Sequence, residues 1–446
     1  MAINCQDKQW TNGRFTCFRT ETTAIGEELK LGCNSVYDLG LGWGECNVYT
    51  PIGRKLMVTV DGVMDANGPV EGVQPTTSGS CGVIVSNPTE EEYFGNWLVQ
   101  YSEDRIPIIM VITTDNLVTD IRLPQSIQAE NYQVMLTPDL DYTGSNIRFD
   151  GNVVMSLTNV AATEVITFHA DELTPIGEPV VTDENGNDLP VEAVYFDFQR
   201  TFVHLSLSSV LPTDSRFKVA VNFTADITRG AYSTYGFYPQ ICSETNGLDK
   251  MCWFTQFEST NARNAFPCLD EPSFKATFDM RIGRTEDYHA RSNMPLKSTA
   301  PHPDPDKFGY VLDTFETSVA MSPYLVAVAI TDYVTLPNTD NSTSVWAPAE
   351  DIEAGRGDFS NVIGAQIMAH YADYFNVEYP LPKQDLVYEA KKGGAMENWG
   401  LVLFAPRTLM LDADADDSAK WLVVNVVAHE LAHQVPHFLS VSNLQK

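Results

Sequence analysis

Along most of the chain, hydrophobic positions alternate with polar ones in short stretches, and only near the end do they recur at helical spacing. Within residues 1–115, runs such as Lys55-Leu56-Met57-Val58-Thr59-Val60 are set among Gly, Thr and Cys, which predicts a small all-β module of sandwich type. From about Ile121 the apolar runs become regular: Asn131–Leu136, Val153–Leu157, Val165–Phe168, Phe202–Leu207, Lys218–Phe223, Ala276–Ile282 and Leu325–Ile330. Turn-forming clusters such as Asp183-Glu184-Asn185-Gly186-Asn187-Asp188 separate them. The expectation is a large, mainly antiparallel β domain, either one sandwich or one curved sheet. After Trp346 the period changes. Ser360–Tyr371 spaces its apolar residues for a helix, with Ser360 or Asn361 available as its cap. A strand follows around Gln384–Val387, then the segment Asn398–Phe404 beyond the pair Gly393-Gly394. Asp416-Asp417-Ser418 opens a last helix running to about Gln434, with acids at its positive end. Trp421, Leu422, Val423, Val424, Val426, Val427, Leu431 and Ala432 leave that helix without a polar face, so it expects cover on every side. The expected division is an accessory Cys-containing β module at 1–117, a β domain at 118–330 and an α/β segment at 331–446.

Composition narrows the function classes. The 446 residues hold 28 Lys and Arg against 59 Asp and Glu, a net charge of −31, which argues against binding nucleic acid or anionic membrane. No apolar run reaches the roughly 20 residues that a transmembrane helix needs, so a soluble chain without a transmembrane segment is expected. Five of the 8 cysteines, Cys5, Cys17, Cys33, Cys46 and Cys81, crowd the first module, and Cys242 and Cys252 are spaced to close a short ring. With the sequons at Asn222 and Asn341, this usage points to an extracellular or cell-surface setting. The first residues nevertheless show neither the basic nor the apolar region of a secretory signal, and the expectation is an incomplete or atypical N-terminus.

Chemistry concentrates in His429-Glu430-Leu431-Ala432-His433. Two His four apart sit one turn apart on one helix face and can converge on a single ion, with Glu430 beside them as a base toward water. The bland alternative is a buried helix with two satisfied His, and the apolar run before the motif favours the metal reading. His370, alone among apolar residues, reads as a core histidine rather than a ligand. The acids from Asp412 to Asp417 lack the Gly and the final Glu of a calcium loop and read as a solvated helix entrance.

Together, Lys392-Gly393-Gly394-Ala395-Met396-Glu397-Asn398-Trp399-Gly400 and His429-Glu430-Leu431-Ala432-His433-Gln434 resemble the aminopeptidase N-like family of zinc exopeptidases, the gluzincins. Thr255-Gln256-Phe257-Glu258, the segment Ala262–Pro272, and Arg122-Leu123-Pro124 with Tyr132 match the same family in order and spacing, so the likeness spans about residues 118–434. It implies a thermolysin-like α/β catalytic segment after the β domain, one zinc per chain, and peptide substrates with a free N-terminus. By the same resemblance His429 and His433 are zinc ligands and Glu430 is the general base. Glu397 and Glu258 hold the substrate's α-ammonium, within a binding loop that includes Gly394, Ala395, Met396 and Asn398. Gln256 lines the pocket of the first side chain. An exopeptidase must tell a chain end from an internal amide, and carboxylates beside the metal supply that discrimination; Gly393-Gly394 would let the peptide backbone come close.

The pattern breaks after Gln434. The family's third zinc ligand, a Glu nineteen positions past the second His, would fall beyond Lys446, and no Asp or Glu follows Glu430. The downstream Tyr that stabilises the oxyanion is missing as well. His437 is a poor substitute, because it lies too far along the helix axis and follows Pro436. The expectation is a truncated member with weak or absent zinc and little or no activity; the alternative is a non-catalytic secreted or cell-surface binding protein using its β modules. An endopeptidase is disfavoured by Glu397 in its Gly-Ala-Met-Glu-Asn setting.

Overall fold

A computed structural model describes side chains for residues 121–434, apart from 141–146, 198–199, 228–234, 243–249 and 339–342; outside that span only backbone elements are described. The first module's cysteines, the Asn341 sequon and His437 lie outside the described side chains. The chain divides into two compact units, Met1–Ile121 with Tyr195–Arg200, and Arg122–Val194 with Thr201–Lys446.

The first unit is built of antiparallel strands. Asp7–Thr11, Arg14–Thr22 and Glu28–Val36 form one small sheet, and Glu90–Phe94, Trp97–Tyr101 and Pro107–Val111 form another. The alternating run at Lys55 is a strand, Lys55–Thr59, paired with Cys46–Tyr49 and Gly62–Asp65.

In the second unit the alternation in sequence becomes a two-sided sheet. Along Asn146–Asn159, Val153, Met155 and Leu157 are buried while Asn152, Val154 and Ser156 are half-exposed, as a period of two requires. This strand lies between Ile127–Pro138 and Arg216–Thr228 in an eight-stranded sheet. All of its neighbouring strands run antiparallel except Ile127–Pro138 and Thr277–Thr285, which pair in parallel with Tyr132 beside Phe278. Beneath it, one aromatic-rich core includes Tyr132 stacked on Phe278 at 5.0 Å and Phe149 edge-on to Phe237 and Trp253. The β domain is therefore not one curved sheet: a four-stranded sheet of Gly236–Thr245, Leu248–Gln256, Val328–Thr331 and His289–Ser292 adjoins the same core. Cys242 and Cys252, on the hairpin of its first two strands, are disulfide-bonded.

The α/β part is a mixed five-stranded sheet. Thr343–Ala347, Gln384–Tyr388 and Leu401–Phe404 are parallel, and Val334–Pro337 and Ala395–Met396 are antiparallel edges. The helix Asp358–Phe375 provides the crossover between the first two parallel strands. Ser360 and Asn361 do not cap it. They lie inside the first turns, because the Ser360 hydroxyl donates to the Leu409 carbonyl and the Asn361 amide to the Pro337 carbonyl, while Gly357 occupies the cap position. The last helix, Asp417–Ser442, packs Val423, Val427 and Leu431 on Val345, Leu386, Val402 and Phe404 of the sheet. Asp416 caps it by accepting from the Ala419 N–H at 2.8 Å. Two expectations change here. The helix buries one face only, since Trp421 is 67% exposed, and its backbone continues through Pro436, whose missing N–H removes one bond while the flanking turns keep theirs.

Candidate active site

Three elements deliver the predicted site residues. The strand Leu248–Gln256 is fixed against Val328–Thr331 by its own pairing and by Thr255, whose hydroxyl accepts from the Val328 N–H at 2.9 Å. Gln256 and Glu258 therefore emerge at a firmly held strand end, Glu258 exposed and joined to Ser259 by a cis peptide bond. The second element is the turn between Ala395–Met396 and Leu401–Phe404, which carries Glu397 and Asn398. Its sharp reversal needs Gly400, at φ +81°, where a Cβ would sit 2.4 Å from the Asn293 carbonyl oxygen. Asn293 holds the turn by donating to the Trp399 carbonyl at 2.8 Å, and the half-buried Lys383 ammonium donates to the Gly400 carbonyl at 2.7 Å. The third element is the last helix, which presents His429, Glu430 and His433.

Gln434 ties the second element to the third. It is fully buried; its amide nitrogen donates to the Glu397 carbonyl at 3.1 Å and its oxygen accepts from the Gly400 N–H at 3.4 Å. The residue after the second His thus sets the distance between the helix and the Glu397 turn.

Across the site, His429 Nε2 and His433 Nε2 are 3.2 Å apart with their rings inclined at 75°. Glu430 is buried between them and the sheet, with no hydrogen-bond partner for its Oε2 among the described residues. Burial, then the nearby Glu397, push its carboxyl up to about 7, against a smaller downward pull from Lys392. Glu258 is raised by partial burial and by Glu397, and drawn down by His433 and Lys392. Tyr324 is raised by burial and by the same two acids, Glu397 and Glu258. Glu397 thus raises both Glu258 and Glu430, so the three acids share one part of the site. Asn398 is buried with neither amide atom partnered among the described residues.

The two halves of the second unit that make this site have recognisable counterparts. Residues 128–325 match the Peptidase M1 N-terminal domain, and residues 359–435 match the Peptidase family M1 domain. The chain belongs to the peptidase M1 family. Its relatives include endoplasmic reticulum aminopeptidase 1 of Mus musculus, 32% identical over 71% of this chain and 33% of the relative. Aminopeptidase Q of Felis catus is 30% identical over 70% of this chain and 33% of the relative, and endoplasmic reticulum aminopeptidase 2 of Bos taurus is 32% identical over 71% and 32%. The chain thus spans about a third of the length of these relatives.

Other M1-like motifs build the scaffold rather than the site. Within Ala262–Pro272, Arg263 pairs with the buried Asp270 at 2.8 Å, and the Leu269 N–H donates to the Tyr132 hydroxyl. Glu271 accepts from the Leu123 N–H at 2.6 Å and pairs with Arg122, which fastens the segment leading into the strand Ile127–Pro138. His370 is exposed beside Tyr371 and Tyr374 and is not a core residue. Asp412, Asp414, Asp416 and Asp417 are exposed, as a solvated helix entrance should be.

The two imidazoles fit a zinc ion. Nitrogens about 2.05 Å from a tetrahedral ion lie about 3.3 Å apart, and the observed separation is 3.2 Å. Among the described residues, the only three His, Cys, Asp or Glu groups close enough to share an ion are Cys242, Cys252 and Asp332, and the first two are bonded to each other. Among the described residues, no third such group joins His429 and His433. Sequence reasoning assigned no role to Gln434, Lys392 or Glu389, although Gln434 and Lys392 lie inside the quoted motifs.

Proposed function

We propose that this is the metal- and N-terminus-binding site of a zinc aminopeptidase, acting on peptides with a free α-amino group. The observation that carries the reading is the convergence of the His429–His433 pair, the buried Glu430 Oε2, which has no partner among the described residues, and the nearby acids Glu397 and Glu258. His429 and His433 would hold the zinc, which supplies Lewis acidity for amide hydrolysis. Glu430, with a proton affinity raised toward neutrality, takes a proton from the attacking water and returns it to the leaving amine. Glu397 and Glu258 hold the substrate's ammonium, while Gly394, Ala395, Met396 and Asn398 border its backbone. Gln256 faces the first side chain.

For the polypeptide 1–446 taken alone, two protein ligands predict weak zinc and little turnover, since oxyanion stabilisation by itself commonly contributes about a hundredfold to a thousandfold. The second reading is a non-catalytic secreted or cell-surface binding protein using its β modules. Setting and partners are part of the same proposal: an oxidising extracellular or lumenal compartment, consistent with the Cys242–Cys252 bond and the exposed sequon Asn222. No described helix is long and apolar enough to cross a membrane.

The test is zinc content and N-terminal residue release measured on the purified chain, with Glu430→Gln as control. Zinc lost on dialysis, together with binding of free-amine but not N-acetylated dipeptides, is the expected result. Release of N-terminal residues that Glu430→Gln abolishes would remove the inactive reading. Equal binding of free and N-acetylated dipeptides would remove the aminopeptidase reading.

A further inference from the structure

One cation sits inside the acidic site. The Lys392 ammonium, its side chain only 9% exposed, donates to Gln256 Oε1 at 2.6 Å and lies 3.5 Å from Glu389 Oε2. Glu389 is itself buried and committed, its other oxygen accepting from the Tyr238 hydroxyl at 2.6 Å and from Gln240 Nε2 at 3.0 Å. The Gln240 oxygen in turn accepts from the Lys391 N–H at 3.0 Å. Lys392 is thus fixed from behind by a hydrogen-bonded platform.

This contact decides what Gln256 presents. An ammonium can only donate, so the Gln256 carbonyl oxygen must face Lys392. The amide nitrogen is thereby turned the other way, toward Met396 Sδ at 3.3 Å. A thioether is a weak acceptor, so these N–H donors are poorly matched and gain from a better one. A basic first side chain reaching Gln256 would meet N–H donors with an ammonium behind them, and an acidic one would meet complementary donors and charge.

We propose that Lys392, acting through and beside Gln256, selects peptides whose first residue is Asp or Glu and disfavours those beginning with Lys or Arg. The proposal rests on the aminopeptidase reading above, in which Gln256 faces the first side chain. Lys392 is then a specificity-determining residue, separate from the acids that hold the α-ammonium.

The test is titration calorimetry of the 446-residue chain in zinc chloride with the dipeptides Glu-Ala, Lys-Ala and N-acetyl-Glu-Ala. Glu-Ala is expected to bind at least tenfold more tightly than Lys-Ala. Lys392→Met should bring the two within about twofold, Lys392→Arg should keep the preference, and Lys392→Glu should reverse it. Should a variant misfold by circular dichroism, the comparison of Glu-Ala with Lys-Ala on the unaltered chain still decides. A preference for Lys-Ala, or equal binding of the two, overturns the proposal and leaves the aminopeptidase reading standing if N-acetylation still abolishes binding. N-acetyl-Glu-Ala binding as well as Glu-Ala, or no dipeptide binding at all, removes both.

Discussion

Replacing Gly400 by Ala should loosen the site without touching any residue that meets the substrate. The added methyl would lie 2.4 Å from the Asn293 carbonyl oxygen and 3.0 Å from Leu381 Cδ1, and φ is +81°. The left-handed conformation costs a non-Gly residue about 1–2 kcal/mol, and forcing a methyl into filled space adds about 1–3 kcal/mol. Asn293 cannot retreat freely, because its side chain holds the carbonyls of Trp399 and Leu325 and accepts from the Ala327 N–H. The expected loss is therefore about 2–5 kcal/mol in local stability. Because the chain has two compact units, a global unfolding midpoint would blur the effect; hydrogen exchange of the segment 397–404 reads it directly. At 1.4 kcal/mol per tenfold, exchange should accelerate about 30- to 4,000-fold. Gly394→Ala is the matched control, since nothing lies within 4 Å of its Cβ and its φ is ordinary. That substitution should leave exchange unchanged while reducing dipeptide binding. If Gly400→Ala exchanged within threefold of the parent chain, the account of the turn as pinned by Asn293 would be wrong.

Other perturbations follow from the same contacts. Gln434→Leu strands the Gly400 N–H and the Glu397 carbonyl, at about 1–3 kcal/mol each; free-amine dipeptide binding should weaken tenfold or more while zinc affinity moves less than threefold, and unchanged dipeptide binding would refute the clip. His169 is buried with its Nδ1 accepting from the Asp270 N–H, and burial, then Arg263, lower its pKa from 6.5 to about 3. A folded-state pKa below the unfolded one means that this contribution is whole above pH 6.5 and declines as pH falls toward 3, by up to about 1.4 kcal/mol per unit. Thermal midpoints of the parent chain should therefore drop more steeply from pH 7 to pH 4 than those of His169→Asn; parallel curves would show that another group governs the acid limb. Asp270→Ala leaves the Arg263 guanidinium without its buried partner and should cost about 3–5 kcal/mol by urea unfolding of the second unit; a loss under 1 kcal/mol would contradict the pairing.

What the sequence made legible was local. His429, Glu430 and His433 could be placed because a helix fixes residues four apart on one face, and Glu397 because its flanking Gly-Ala-Met and Asn-Trp-Gly residues carry a family resemblance. The period-2 runs gave the strands for the same reason. Interactions between distant segments stayed hidden. The Lys392–Gln256 contact joins residues 136 apart and the Gln434–Gly400 contact joins residues 34 apart; neither spacing has a local signature. Ser360 and Asn361 were misread because both are good caps in isolation, whereas tertiary partners at Leu409 and Pro337 claim their side chains. The need for glycine at Gly400 had no local signature, because it becomes visible only once Asn293 is known to press against it.

The single parallel pairing in the eight-stranded sheet has a consequence for how the chain is made. Asn131 and Thr277, side by side on those two strands, are 146 residues apart in the sequence. A ribosome adds roughly 5–20 residues per second, so the middle of that sheet stays half-assembled for about 7–30 seconds while the rest of the β domain is translated. Throughout that interval the Ile127–Pro138 strand has an open backbone edge on the side that Thr277–Thr285 will occupy, the kind of edge on which nascent chains join one another or are shielded by chaperones.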